Sequence, residues 1–136
     1  MSRKFAQVIC MIAVLCMIAG CGEKQDKTQK LQDLEFQVLA SEQIPKELQE
    51  IVEEKKKESF KLSFTDENVQ YICVGYGQQP SGGYSISVTE LYETENAVYV
   101  DTNLLGPSAE EMKKEIPSYP YITIQLEKQD KTVVFK

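Results

Sequence analysis

Apolar and polar residues alternate with a period of two over most of the second half of the chain, as in Tyr84-Ser85-Ile86-Ser87-Val88-Thr89. This is the period of a half-buried strand. It predicts strands over residues 61–64, 69–76, 84–92, 97–104, 121–128 and 132–135. Upstream, Leu34, Phe36 and Val38 alternate as well and predict a first strand over residues 34–39, ended by Ser41-Glu42-Gln43. One segment keeps a different period. From Pro45, a residue suited to a first helical turn, Ile44, Leu48, Ile51 and Val52 fall at helical spacing on one side, and a tail of mixed charge over residues 53–58 closes the helix as a solvated end. The short polar links Glu93-Thr94-Glu95-Asn96 and Gln129-Asp130-Lys131 read as hairpin connections, so the strands on either side of each are expected to pair antiparallel. The longest irregular stretch, residues 106–120, carries prolines at 107, 117 and 120 and one helical turn over residues 109–114. The pattern predicts a mostly β (α+β) domain over residues 34–136. Its form is an antiparallel sheet sandwich or a partly open barrel, with one N-terminal helix packed on it.

The first twenty residues follow another rule. Arg3 and Lys4 precede an apolar run, residues 5–18, that ends in the small residues Ala19 and Gly20, the layout of an export signal. The run is short for a membrane span, which needs about 20 apolar residues. Met17-Ile18-Ala19-Gly20-Cys21 resembles the lipobox of bacterial lipoproteins, in which the cysteine is acylated and the chain cut before it. Cys21 is therefore the expected lipidation site, residues 1–20 the signal, and residues 21–33 a hydrophilic tether without apolar periodicity. The expected location is the outer face of the cytoplasmic membrane or another envelope membrane. Of the 15 basic and 21 acidic side chains, a net charge of −6, the signal takes Arg3 and Lys4 and no acidic residue, so the exported chain is more acidic still. That balance argues against nucleic acid as a partner and against electrostatic binding to anionic lipid. Cys10 and Cys16 leave with the signal and only Cys73 remains in the domain, within the apolar run Tyr71-Ile72-Cys73-Val74, where it reads as a small buried hydrophobe.

Candidate chemistry is sparse. The chain has no histidine, which removes the commonest general base and the commonest metal ligand. Carboxylates such as Glu110 and Glu111 have the spacing of ordinary surface charge. The glycines of Gly75-Tyr76-Gly77-Gln78-Gln79-Pro80 lack the third glycine of a dinucleotide fingerprint, and no lysine follows as in a phosphate loop. Gly82-Gly83 precedes a strand, whereas a phosphate cradle opens a helix. No catalytic residue, cofactor or metal is therefore expected. Tyr84, Tyr99 and Tyr121 lie in or beside alternating segments, where sheet packing accounts for them.

Tyr71-Ile72-Cys73-Val74, then Gly75-Tyr76-Gly77-Gln78, Pro80-Ser81-Gly82-Gly83-Tyr84-Ser85-Ile86, and later Tyr119-Pro120-Tyr121 resemble the PrcB family, whose members carry a Thr-Gly-Gly-Tyr stretch opening one strand and Tyr-Pro-Tyr opening a later one. The likeness covers most of the domain, with Ser81 where threonine is usual. The founding member is a lipoprotein subunit of a cell-surface protease complex, so the resemblance implies a non-catalytic, protein-binding partner of an exported protease or its precursor. Gln79-Pro80-Ser81-Gly82-Gly83-Tyr84 is also similar to the Asn-Pro-Thr-Thr-Gly-Tyr loop of chagasin-type cysteine-protease inhibitors, small β sandwiches, with glutamine in place of asparagine. Both likenesses nominate one contact loop, formed by Gln78, Gln79, Pro80, Ser81, Gly82, Gly83 and Tyr84. Gln78 to Ser81 are expected to be exposed at the sheet's end, and Gly82 or Gly83 to take positive φ. A small-ligand or envelope-stress module and a chagasin-like inhibitor are the alternatives that use the same loop.

Overall fold

A computed structural model describes residues 29–136. The signal, the lipobox and Cys21 lie outside the described residues. Among the described residues, eight strands form two four-stranded sheets. They are β1 (Gln32–Asp33), β2 (Gln37–Val38), β3 (Ser59–Asp66), β4 (Val69–Tyr76), β5 (Ser85–Glu93), β6 (Ala97–Leu105), β7 (Tyr121–Glu127) and β8 (Thr132–Phe135), with helices α1 (Lys46–Lys55) and α2 (Ala109–Lys113). One sheet runs β1-β5-β6-β8 and the other β2-β7-β4-β3, so the fold is a β sandwich and not a closed barrel.

Two apolar layers hold it together, and both use the β2-β7-β4-β3 sheet. Between the sheets lie Ile72 and Val74 of β4, Ile122, Ile124 and Leu126 of β7, Leu91 of β5, and Val98 and Val100 of β6. On the outer face of the same sheet, Tyr71 and Cys73 of β4 pack with Leu39, Ile44, Leu48 and Val52 from the α1 region, flanked by Phe60, Leu62 and Phe64 of β3. Strand β4 is thus covered on both sides. Its sequence accordingly reads as a near-continuous apolar run, whereas β3 and β5 alternate. The α1 positions expected to face inward do so, with Leu48 and Val52 fully buried and Ile51 half-buried. Pro45 sits at the N-cap.

The segment from residue 34 to 39 departs from its expected form. It is not one strand. Gln32–Asp33 pairs with β5 in one sheet, and Gln37–Val38 pairs with β7 in the other. The chain between them crosses from sheet to sheet, so the alternation that would place Leu34, Phe36 and Val38 on one face is interrupted. Leu34 packs against the inter-sheet core and Leu39 is buried under α1, while Phe36 and Val38 are exposed. Paired backbone also begins earlier than residue 34, because the Leu31 amide donates to Glu93 O at 2.8 Å. The last residues of the expected tether are therefore part of the sheet.

The expected hairpin over residues 129–131 is a second correction. β7 and β8 do not pair. β8 runs parallel to β6 in the opposite sheet, with Ala97 opposite Thr132 and Val100 opposite Phe135. In that position Val133 and Phe135 reach the inter-sheet core, which a hairpin extending the β7 sheet would not place them in. The other expected hairpin, β5 to β6 through residues 93–96, forms as predicted, with Tyr92 opposite Tyr99 and a register shift between Val88 and Glu90.

Candidate functional site

The loop from Gly77 to Tyr84 carries the chain from the end of β4 to the start of β5, and therefore from one sheet to the other. It turns on two residues with left-handed backbone, Gly77 (φ 73°) and Gly83 (φ 84°). Of the two adjacent glycines it is thus Gly83 that needs the special conformation. The position is also crowded, since a Cβ there would stand 2.8 Å from Pro107 Cβ and 3.0 Å from Glu111 Cγ.

Residues 106–120 clasp this loop. The Gln79 amide donates to Ser118 O at 2.8 Å and the Ser118 amide donates to Gln79 O at 3.1 Å, an isolated antiparallel bridge. Ser118 Oγ donates to Ser81 O at 2.6 Å, and the Tyr76 amide donates to Pro120 O at 3.1 Å. Gln79 Nε2 donates back to Tyr76 O at 3.0 Å. Within the clasp, Ser108 caps α2 by accepting from the Glu111 amide, and Glu115 ends it with φ 53°. Pro120 is followed directly by β7, so Tyr119-Pro120-Tyr121 joins the clasp to the sheet. Tyr121 packs beside the α1 layer, where burial pushes its hydroxyl pKa up. Lys56, whose pKa is raised by its hydrogen bond to Glu53, stands 5.8 Å from the Tyr119 ring centre.

These contacts sort the seven nominated residues. Gln78, Pro80 and Gly83 are exposed, Gln79, Gly82 and Tyr84 half-buried, and Ser81 fully buried at 1% exposure. The expected exposure of Ser81 is therefore overturned. The residue sits under the clasp with its carbonyl bonded to Ser118, so it anchors the loop and is not available to a partner.

The same geometry shows residues that the sequence reading passed over. Leu105 (45% exposed) pairs with Ser85 at the start of β5, and Met112 (51%) and Ile116 (65%) stand on the clasp between Glu111 and Ser118. They are three of six large exposed apolar residues among those described. Their signal in the sequence is apolar residues in a proline-rich, charged stretch with no periodic partners. A rigid loop and its clasp thus form one platform at one end of the sandwich, with amide and apolar groups outward. Glu111 on the platform is paired with Lys114 at 3.2 Å, and among the described residues no group of three or more Cys, Asp or Glu is placed to hold a metal. Cys73 lies in the apolar layer under α1. It is buried beside Thr123 Oγ1 at 3.2 Å, and burial pushes its thiol pKa up to about 11.

A helix-backed β sandwich with a clasped loop at one end is the class of protein that the fold defines. Residues 70–127, which run from β4 to β7 and include both loop and clasp, match the family described as PrcB C-terminal. Searches of curated proteins and of solved structures gave no match.

Proposed function

We propose that this protein is a non-catalytic lipoprotein, anchored through acylated Cys21, whose domain binds an exported protease or its precursor through the loop and clasp. The observation that carries the reading is that the span matching PrcB C-terminal holds both halves of the platform. The platform's outward groups support it. Pro80, Met112 and Ile116 expose apolar surface on a backbone held by several hydrogen bonds, an arrangement that lowers the entropic cost of binding and suits a protein interface better than a small-molecule pocket.

The test is crosslinking of the lipidated full chain in its own membranes, followed by capture and mass spectrometry. An exported protease or precursor is expected to be captured by the wild type and lost from a Pro80→Ser, Met112→Ser, Ile116→Ser variant of unchanged melting temperature. Equal capture by that variant refutes the platform. The anchor is tested separately by intact mass, which is expected to show a chain beginning at a diacylated Cys21, because two acyl chains give lasting attachment where one is marginal.

A further inference from the structure

The β2-β7-β4-β3 sheet ends in a long free edge. Among the described residues nothing pairs with the outer side of β3, which runs eight residues in unbroken register with β4 and contains neither proline nor bulge. The other edges are blunted. β1 and β2 have two residues each, β8 has four, and β5 carries the register shift at Val88 and is covered by β1 at Tyr92 and Glu93. An exposed, flat, full-length edge is a template for another strand.

The row of backbone groups it offers can be assigned. The Tyr76 amide is turned toward Pro120, away from β3, so its partner Ser59 turns its own N–H and C=O outward, and with a period of two Lys61, Ser63 and Thr65 do the same. The side chains of these four residues are exposed on one face, while Phe60, Leu62 and Phe64 form a half-buried apolar row on the face toward α1. Lys61 is the one charge between Ser59 and Asp66, and it makes no ion pair among the described residues. The edge also begins at the candidate site, since the Gln78 amide donates to Lys57 O at 3.2 Å.

From this we propose that the β3 edge takes an extended strand of the protein partner, added antiparallel to the sheet, with apolar side chains at alternate positions over Phe60, Leu62 and Phe64 and an acidic side chain opposite Lys61. This is recognition by strand addition, in which main-chain bonds supply affinity and alternate side chains supply selectivity. It rests on the reading of the chain as a protein-binding module, and it adds the form of the bound segment: one stretch continuing from the loop along β3. Lys61 has two roles in it. It selects an acidic partner, and it disfavours self-pairing in any register that brings two lysines together.

The test uses a short blocked peptide in which valine and threonine alternate about a central glutamate, and its twin with lysine in the centre. The glutamate peptide is expected to bind the full-length protein and to slow amide exchange at Ser59, Lys61, Ser63 and Thr65. Lys61→Glu should reverse the preference between the two peptides, each changing by roughly fivefold. Ser63→Pro removes an outward N–H and should abolish binding, because proline at such a position spares the ladder to β4. Should that variant fail to fold, the charge reversal decides alone. Protection on β5 or β8, an unreversed preference, or no binding overturns the proposal, as does a dimer that Ser63→Pro dissolves, which would assign the edge to a second copy. In the crosslinking experiment, capture lost with Ile116→Ser and kept with Lys61→Glu sinks the edge alone, whereas capture kept by both sinks the edge and the platform together.

Discussion

The two connections that flank β5 are built on opposite plans. The one that follows it, residues 93–96, is closed across its mouth by its own backbone and the Thr94 hydroxyl, with Lys131 Nζ donating to Thr94 O at 2.7 Å from outside. The Thr94 amide donates to Ala97 O at 2.8 Å, and the buried Thr94 hydroxyl accepts from the Ala97 amide at 3.1 Å. The one that precedes it, the loop from Gly77 to Tyr84, closes very little of itself. Its bridge partner Ser118 and its packing partners Pro107 and Glu111 come from a segment far along the chain. A short turn closed across its own mouth has few groups left to present. A loop whose shape is held from behind can still turn its outer face to solvent, and the exposed apolar residues Met112 and Ile116 stand on the segment that holds it.

The difference can be tested by substitution. Gly83→Val should have the largest effect on stability, about 3 kcal/mol, because it combines a left-handed φ with a Cβ 2.8 Å from Pro107, and denaturant unfolding should show it as a lowered midpoint. Gly82→Ala is the paired control. Its Cβ would meet only Glu111 Oε2 at 3.6 Å, and the loss should stay below about 0.5 kcal/mol.

Such measurements belong below pH 9, and the reason is itself a prediction. The Cys73 thiol has an ordinary value of 9.0 and is pushed up to about 11 in the folded chain, so folding favours the protonated form. That contribution is complete below the unfolded value and is lost as pH rises through the folded one. Stability should fall by about 2 kcal/mol between pH 8 and pH 11 through this group. Tyr121, whose pKa burial also raises, acts in the same direction. Cys73→Ala should flatten the slope in that window, as read by unfolding curves at a series of pH values.

Thr94→Ala should cost about 1.5 kcal/mol and Ser118→Ala about 1 kcal/mol, each the loss of a bond to buried backbone. They should separate in where the damage is felt. Hydrogen exchange is expected to quicken around residues 93–97 in the first, and in both residues 77–84 and 106–120 in the second. If Ser118→Ala loosens only its own segment, the clasp does not hold the loop. The smallest stability change, within about 0.5 kcal/mol, is expected for Ile116→Ser, which removes a side chain that is 65% exposed. Its effect should appear in partner capture alone.

Most of the elements were legible in the residues. Strands β4 and β8 match their expected limits, β6 and β7 differ by one residue at one end and β5 by one residue at both, because period-two alternation is a local property written in adjacent side chains. Helix α1 was equally plain from Pro45 and the spacing of Leu48 and Val52. Of the site, the left-handed turn at Gly83 could be expected from composition, and the exposure of Gln78 and Pro80 followed from the loop's polarity. Ser81 could not be placed in this way. A serine between a proline and a glycine looks like solvent-facing turn chemistry, and what buries it is the segment carrying Ser118, which no local pattern connects to it.

The same division explains the two errors of topology. Alternation states which face of a strand is apolar, but it carries no label for the neighbour that will cover that face. Gln129-Asp130-Lys131 is short enough for a hairpin, yet the side chains of Val133 and Phe135 gain more by crossing to β6, where the inter-sheet core receives them. Leu34, Phe36 and Val38 alternate as a strand should, yet the first residues are needed to cover the edge of β5 and the last to cover β7, and one straight strand cannot lie in both sheets. The amino-acid sequence by itself determined where the backbone is extended, where it turns and which stretch coils into a helix, since those depend on residues within a few positions of each other. Which strands became neighbours, which edge was left open at β3 and which loop residue was buried were decided only by the tertiary structure, because each depends on apolar area shared between segments distant in the chain.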